Sequence, residues 1–260
     1  MNWLDRLRAW LAGLGTPPDA DGPRLSAAQQ AELLQGLQSG RPGHRWLAAE
    51  GLGVRNLGGK GVKALAQALA DPDPMLRWEA AAALARSGSG AARQALLAAL
   101  SGADPQAQAA AADALGLLPP QPEALALLVQ ALGSPHSVVR QSAAEALARW
   151  SPPPVEKAQP APPDVETPLL GLLSDPEPAV RRAAALALGR WGGQAAREAL
   201  ERLAADGEQI PWVREAVAQA LRRLPQPVVA PLAEVAEPAG PDAEESAQDE
   251  PSAAEPLKEA

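Results

Sequence analysis

One short phrase recurs along this chain. VRQSAAEALARW occupies residues 139–150, and VRRAAALALGRW occupies residues 180–191. With the Arg of the phrase as an anchor, six equivalent positions follow one another at steps of 32, 31, 32, 41 and 33 residues: Arg45, Arg77, Gln108, Arg140, Arg181 and Arg214. A near-constant period of this length is the signature of a repeat array, in which each unit packs only on its neighbours.

The residues that follow each anchor show a helical pattern. Position +4 is Ala and position +7 is Leu in all six copies. Because successive residues of an α-helix are about 100° apart, positions −1, +3, +4 and +7 form one apolar stripe. Positions +6 and +8 on its flanks are always Ala or Gly, except for Arg222 in the last copy. Small flanking residues predict close packing by helices on both sides, and Arg222 predicts the end of the stack.

A second apolar segment precedes each of these helices. The six segments are Leu25–Gln38, Gly61–Ala70, Gly90–Leu100, Pro122–Leu132, Pro168–Ser174 and Gln194–Ala205. Turns with a helix-capping residue before proline join the segments to the second helices, at Asp71-Pro72, Asp104-Pro105, Ser134-Pro135 and Asp175-Pro176. The predicted fold is therefore all-α, an α-solenoid of about six stacked helix hairpins over residues 25–224.

Individual copies also carry a family resemblance. DPDPMLRWEAAAALAR (71–86) and DPEPAVRRAAALALGR (175–190) resemble HEAT repeats, particularly the short type named after phycobilisome lyases. The resemblance covers about residues 25–224 and implies the solenoid fold. It implies no particular activity, because this repeat occurs in many unrelated proteins.

The turns suggest an internal brace. Six residues before the anchor stands Asp71, Asp175 or Glu208 in three copies, and Ser39 or Ser134 in two others. An acceptor at this position is expected to bind an anchor arginine, in the same repeat or in its neighbour. In the third copy both partners are replaced, by Gly102 and Gln108.

Several segments depart from the array. Residues 1–15 form a predicted amphipathic helix whose stripe includes Trp3, Leu7, Trp10 and Leu14. This helix either caps the first repeat or docks elsewhere, on a protein or a membrane surface. Residues 16–24 are a linker, and the proline-rich insert 151–164 accounts for the step of 41 residues. Residues 225–260 are predicted to be a disordered tail, solubilising or able to fold on a partner.

Composition and charge narrow the function. The chain has no cysteine, which excludes disulfides and is compatible with a cytoplasmic location. No apolar run reaches the length of a membrane span. The formal net charge of −8 belongs to the acidic tail, since residues 1–224 contain 22 acidic and 22 basic residues. A neutral repeat array makes nucleic acid an improbable partner.

Catalytic and metal-binding motifs are not found. His44 and His136 are the only histidines. His44 takes the apolar −1 position, which favours a place in the core or at a helix start over a metal ligand, and His136 falls in a turn. The sequence contains no HExxH motif, phosphate-binding glycine loop or nucleophile elbow. It therefore predicts no catalytic residue, no metal and no cofactor.

Binding residues are expected on the face opposite the stripe, at positions +1, +2, +5 and +9, which should line the concave side of the solenoid. The candidates are Trp46, Trp78, Arg86, Glu145, Arg149 and Arg190, with Glu50 and Asp113 also at +5. Exposed Trp and Arg dominate interface energetics. The alternatives are that the two tryptophans pack on a loop or on the N-terminal helix, and that the arginines interact with helix C-termini. Trp150 and Trp191 are predicted to lie in the core.

Two classes of function follow. The favoured one is a non-enzymatic scaffold that binds a protein or peptide along its concave face. The alternative is an enzyme or enzyme accessory, because similar repeats occur in bilin lyases and in a DNA glycosylase family that uses Trp, Asp and Arg. Specificity is expected where the copies disagree, at Gln141 against Arg182 and at Glu145 against Leu186.

Overall fold

The structure is a computed structural model that describes residues 26–39, 41–53, 58–152, 163–206 and 209–224. Within these residues it contains twelve α-helices and no strand. The helices are α1 (Ala27–Leu37), α2 (Pro42–Gly53), α3 (Gly59–Ala68), α4 (Pro74–Ser87), α5 (Gly90–Leu100), α6 (Pro105–Leu115), α7 (Pro122–Ala131), α8 (Ser137–Arg149), α9 (Glu166–Gly171), α10 (Pro178–Trp191), α11 (Gln194–Ala205) and α12 (Pro211–Arg223). A single 3₁₀ turn, Leu172–Ser174, extends α9. The predicted all-α class and the six hairpins are confirmed.

Successive second helices stack directly on one another. The contacts run from α2 to α4, then to α6, α8, α10 and α12. The small residues at +6 and +8 allow this approach: a Cβ added at Gly116 would lie 2.7 Å from the Cα of Ala146, and one added at Gly189 would lie 2.8 Å from the Cα of Ala220. Both distances are too short for a methyl group, so position +8 of one repeat fits against position +6 of the next.

The core is built from leucine, valine and alanine. Leu52, Leu84, Leu115, Leu147 and Leu188, all at +7, are at most 1% exposed. The alanines at +4 are buried in the first five repeats, and one hydrophobic cluster runs through all six hairpins. Since a hairpin alone leaves this stripe in water, stacking supplies the burial that stabilises each unit.

The last repeat departs from the pattern. Ala218 at +4 is exposed and Leu221 at +7 is half-buried, although both were expected in the stripe. Val213, Ala216, Val217 and Ala220, which face the preceding repeat, are buried. Position +8, Arg222, is exposed. No further helix among the described residues covers this side of α12, and the charged residue at +8 suits that surface.

The predicted helix caps are correct in only one of the four turns. Asp104 caps α6 by accepting from the backbone N–H of Gln106, with Pro105 as the first helical residue. In the other three turns the helix begins later, after Asp73, His136 and Glu177. There Asp71, Ser134 and Asp175 accept instead from a backbone N–H two residues on, inside the turn. These side chains shape the turn rather than the helix end.

The expected brace exists at Asp71 and Asp175, which bind the anchor arginine of the preceding repeat. The hydroxyls of Ser39 and Ser134 accept from backbone N–H groups instead, and Glu208 lies outside the described residues. Arg77, Arg140 and Arg181 each donate to the two backbone carbonyls at −6 and −5 of their own turn, at 2.8 to 3.1 Å. The same side chains then reach the next repeat, where their acceptors are Gln106, Asp175 and Gln209. Arg45 likewise pairs with Asp71 of the second repeat. In the third repeat Gln108 binds the carbonyls of Leu100 and Gly102 and reaches no farther.

Other predictions fall outside the described residues or need correction. The N-terminal helix 1–15, the linker 16–24, the tail 225–260 and most of the insert 151–164 lie outside them. His44 was expected in the core or at a helix start; it lies in the first turn of α2 with an exposed side chain, so it is not a core residue. His136 precedes α8 and is also exposed.

Candidate functional site

Positions +1, +5 and +9 lie on one side of each second helix, and we call this side of the stack the second-helix face. In the first five repeats its described residues are Trp46, Glu50, Trp78, Ala82, Arg86, Ala109, Asp113, Leu117, Gln141, Glu145, Arg149, Arg182, Leu186 and Arg190. Helical spacing places the three positions of each repeat on one side of the helix, and stacking aligns the repeats. All six predicted partner-binding residues therefore lie on this face.

The two tryptophans differ in exposure. Trp78 in α4 is 57% exposed, whereas Trp46, one repeat earlier in α2, is half-buried. The indole Nε1 of Trp46 is shielded from solvent and has no hydrogen-bond partner among the described residues. Trp78 also lies close in sequence to Met75, which is 58% exposed. One end of the face thus presents a large apolar surface.

Carboxylates lie beside this aromatic end. Glu79 is only 3% exposed and pairs with Arg86 at 2.5 Å. Arg86 crosses the gap to the preceding repeat: its Nη2 would lie 2.9 Å from a Cβ added at Gly53. Burial raises the pKa of Glu50, the Glu79 carboxylate raises this pKa further, and Arg86 offsets part of the effect. One carboxylate oxygen of Glu50 is buried without a hydrogen bond.

A second charged cluster lies at the junction of α6, α8 and α10. Asp113 accepts a hydrogen bond of 3.1 Å from the hydroxyl of Ser142 and lies 3.6 Å from Arg149. Glu145 lies 3.8 Å from Arg149 and 3.6 Å from Arg182, and it accepts from Gln141 at 3.1 Å. Burial raises the pKa of Asp113, and the Glu145 charge adds to this, although Arg149 and the Ser142 hydrogen bond act to lower it.

The arginines at +9 therefore pair with carboxylates across the face. Arg86 binds Glu79, and Arg149 neighbours both Asp113 and Glu145. Arg190 differs, since its Nη1 donates to the hydroxyl of Ser151 at 3.0 Å. All three arginines also lie in the last turn of their helices, which is the position that the alternative, interaction with helix C-termini, expects.

Two further tryptophans are structural, as predicted. Trp150 is 3% exposed and donates from Nε1 to the carbonyl of Leu118 at 3.0 Å. Trp191 is half-buried and donates to the carbonyl of Leu147 at 2.8 Å. Each bond links a tryptophan to the preceding repeat, so these side chains join repeats rather than binding a partner.

Position +2 was expected on the binding face, but this was wrong for the second and fourth repeats, where the structure buries Glu79 and Ser142. Neither residue was among the predicted binding residues. Both occupy position +2, beside the helix contact, and both are buried although they are polar. A Glu at this position stands out in the alignment of copies, because the equivalent residues in the next repeats are Ala110, Ser142 and Ala183. This difference from the other copies is the sequence signal for a charged side chain buried where the repeats pack together.

The described residues contain neither a cluster of metal-ligating side chains nor a membrane-spanning helix. Its His, Asp and Glu residues form no group able to hold a metal ion. None of its helices is both long and apolar enough to cross a membrane.

Stacked helical hairpins with a charged and aromatic row along one face define a repeat-solenoid scaffold. A family model described as HEAT repeats matches residues 31–101, 93–161 and 165–250. The chain therefore belongs to the HEAT repeat family.

Solved structures show the same fold. An engineered protein is 23% identical, with a TM-score of 0.50, over 76% of this chain and 98% of that one. A second engineered protein is 25% identical, with a TM-score of 0.48, over 75% and 95% of the two chains. A computationally designed armadillo repeat protein for modular peptide recognition is 20% identical, with a TM-score of 0.45, over 75% and 99%. Comparison with curated protein sequences gave no match.

Proposed function

We propose that this protein is a non-enzymatic scaffold that holds an extended segment of a protein partner along the second-helix face, which we take to be the concave side. The observation that carries the proposal is the 57% exposure of Trp78. Tryptophan is strongly enriched among the residues that dominate protein–protein binding energy. Trp78 stays exposed although its helix is packed by the second helices of the repeats before and after it.

The surroundings of Trp78 support a binding role. The face carries ion pairs whose arginine side chains stay partly exposed to solvent, Arg86 at 42% and Arg149 at 40%. Because these ion pairs already fix the arginine side chains, the arginines can donate directional hydrogen bonds to a ligand with little further loss of side-chain entropy. Since the face runs through successive repeats, an extended segment would contact several of them at once.

A finer classification belongs to the same proposal. Most steps between anchors are 31 to 33 residues, and each unit has a short first helix of six to twelve residues. The short repeat length and the short first helices support assignment of the repeats to the short HEAT type named after phycobilisome lyases. It carries no implication of lyase activity for this chain.

A matched pair of variants tests the function. Trp46→Ala with Trp78→Ala removes the aromatic end of the face, whereas Trp212→Ala removes a tryptophan that is 40% exposed in the last repeat, four repeats away from Trp78. Affinity capture from the native lysate is expected to lose its specific partner with the double variant and to keep it with Trp212→Ala. Equal capture by both variants contradicts the proposal, provided that circular dichroism shows both to be folded.

Cross-linking locates the contact directly. A photoreactive amino acid at Leu117, which is 64% exposed at position +9, is expected to label the captured partner. The same group at Ala98, exposed on first helix α5, is expected to label it weakly or not at all. Stronger labelling from Ala98 would place the partner on the other side of the solenoid.

A further inference from the structure

The aromatic end of the second-helix face contains an uncompensated negative charge. Trp46 and Glu50 belong to α2, and Trp78 and Glu79 belong to α4, which packs against α2. We call these four residues the Trp–acid site. Among the described residues, its two carboxylates have one neighbouring guanidinium, that of Arg86, and Arg86 pairs with Glu79.

Glu50 differs from every other carboxylate of the face. Asp113 and Glu145 each have an arginine nitrogen within 4.0 Å, whereas Glu50 has no ion pair among the described residues. One of its oxygens is buried without a hydrogen bond, and the carboxylate of Glu79 is its electrostatic neighbour. Glu50 as a whole is half-buried, but a shielded carboxylate oxygen that lacks a partner is costly, and a cation placed beside it would remove that cost.

The tryptophans select the same kind of ligand. The faces of an indole ring attract cations, and tryptophan is the best of the aromatic side chains in this role. Trp78 is open to solvent, and Trp46 occupies the equivalent position one repeat away. An anionic group would be repelled by the two carboxylates of the site. A neutral apolar group would give the shielded oxygen of Glu50 no hydrogen bond.

We infer that the Trp–acid site binds a basic side chain, lysine or arginine, of the extended segment held along the second-helix face. This inference rests on the proposed function and specifies its partner. The basic side chain lies against Trp78 and donates to the Glu50 carboxylate. Rotation about the last side-chain torsion of Glu50, which has a broad and roughly two-fold energy profile, exchanges its two oxygens and allows either one to accept.

The charged cluster farther along the face explains why the basic residue binds at this end. Asp113 and Glu145 are matched there by Arg149 and Arg182, and Arg190 lies beyond them. A lysine or arginine of the ligand would meet positive charge in that region. Because the Trp–acid site is negative and the far end of the face is rich in arginine, the basic side chain is expected at the Trp–acid site.

Peptide binding to the full chain tests the inference. The probes are three fluorescent octapeptides that alternate serine with lysine, with glutamine or with glutamate, and fluorescence anisotropy at low ionic strength measures their affinity. The lysine peptide is expected to bind most tightly. Glu50→Gln is expected to weaken it about tenfold, because a charge-assisted hydrogen bond becomes a neutral one. The same substitution should leave the glutamine peptide unchanged.

A control separates the site from general attraction between a basic peptide and an acidic chain. Glu123→Gln removes an exposed carboxylate in the first turn of α7, away from the face, and changes the net charge equally. If Glu123→Gln weakens the lysine peptide as much as Glu50→Gln does, the inference is wrong. A larger loss of affinity for the lysine peptide with Glu50→Gln than with Glu123→Gln supports the inference.

The outcomes distinguish this inference from the function on which it rests. If the glutamine or glutamate peptide binds as tightly as the lysine peptide, and binding is still lost with Trp46→Ala and Trp78→Ala, the basic-residue inference fails and the scaffold function stands. If the double tryptophan variant also captures the native partner as well as the wild-type chain does, the scaffold function fails. Glu50→Gln removes an unpaired charge, so thermal unfolding should show no loss of stability for this variant.

Discussion

The guanidinium of Arg140 forms two hydrogen bonds with the carboxylate of Asp175, of 2.7 and 3.1 Å, across the boundary between the fourth and fifth repeats. The same guanidinium donates to the carbonyls of Ser134 and Pro135 in its own turn. Both side chains are largely buried, at 15% and 5% exposed. One arginine therefore closes its own turn and fastens the next repeat to it.

Replacing Arg140 should weaken this junction. Arg140→Ala removes all four donors and leaves the Asp175 carboxylate buried beside fewer partners, so we expect a loss of about 2–4 kcal/mol in the free energy of unfolding. Urea denaturation measures the change. Arg214→Ala is the matched control, because Arg214 is the anchor of the last repeat and its side chain is exposed. Equal losses for the two variants would show that the link between repeats contributes nothing.

The exposed neighbour of another anchor offers a second comparison. Arg181 binds two carbonyls of its own turn and Gln209 of the next repeat, whereas Arg182 is 42% exposed and lies 3.6 Å from Glu145. Because an exposed ion pair stabilises by about 1 kcal/mol at most, Arg181→Ala should lower the melting temperature more than Arg182→Ala. Equal melting temperatures would contradict the bracing role of the anchors.

The glycine at position +8 should not tolerate a methyl group. Gly116→Ala places a Cβ 2.7 Å from the Cα of Ala146 and 3.0 Å from Nη1 of Arg149, so the two helices must separate. We expect a destabilisation of about 1–3 kcal/mol, typical of overpacking. Gly171→Ala is the control, since it is helical and a Cβ there has no neighbour within 4 Å. It should be neutral or stabilising by up to about 1 kcal/mol, as expected for Gly→Ala in a helix. A neutral Gly116→Ala would show that the stack can loosen without cost.

Two aspartates, the buried Asp175 and the half-buried Asp113, should give the stability opposite dependences on pH. Burial acts to raise the pKa of Asp175, but hydrogen bonds from Arg140 and the Glu177 N–H, with the charges of Arg140 and Arg181, outweigh it and lower the pKa below the ordinary 3.8. Its stabilising contribution is therefore present above pH 3.8 and is lost as the pH falls through the lower folded-state value. For Asp113, whose folded-state pKa is raised, stability falls as the pH rises from 3.8 through the raised value.

Amide variants separate these two contributions. Denaturation of Asp175→Asn and Asp113→Asn over a series of pH values should show that the first variant loses part of the acid sensitivity of the wild-type chain. The second should lose the decline in stability toward neutral pH. Parallel curves for both variants and the wild type would contradict the assignment of either shift.

The buried tryptophan Trp150 supplies a prediction about the core. Trp150→Phe keeps most of the aromatic volume but removes the 3.0 Å bond from Nε1 to the Leu118 carbonyl. We expect a loss of about 1 kcal/mol for that bond, with an added cost for the smaller ring. Trp78→Phe changes an exposed ring and should leave the melting temperature unaltered. A larger loss for Trp78→Phe would mean that Trp78 packs structurally, which would also weaken the proposed function.

Much of the site was predictable because helix faces are local. Trp46, Trp78, Arg86, Glu145, Arg149 and Arg190 share the second-helix face since residues four apart lie on one side of a helix. Their partners were not predictable. Glu79 is buried and pairs with Arg86, and the Ser142 hydroxyl donates to Asp113 from the next repeat. The burial of Glu79 and the bond from Ser142 to Asp113 depend on how far one helix is displaced along the next.

The same division holds for the whole chain. The amino-acid sequence alone determined the repeat, its two helices and the buried stripe, because a 3.6-residue periodicity and small flanking residues act within each unit. Only the tertiary structure decided that Asp71 and Asp175 bind the arginine of the preceding repeat, and that Arg86 and Arg149 cross glycines. It also decided that Glu50 has no ion pair with any residue that the structure describes. Side chains about thirty residues apart meet at hydrogen-bond distance only when packing fixes the separation and rotation of their helices, and no local pattern encodes that geometry.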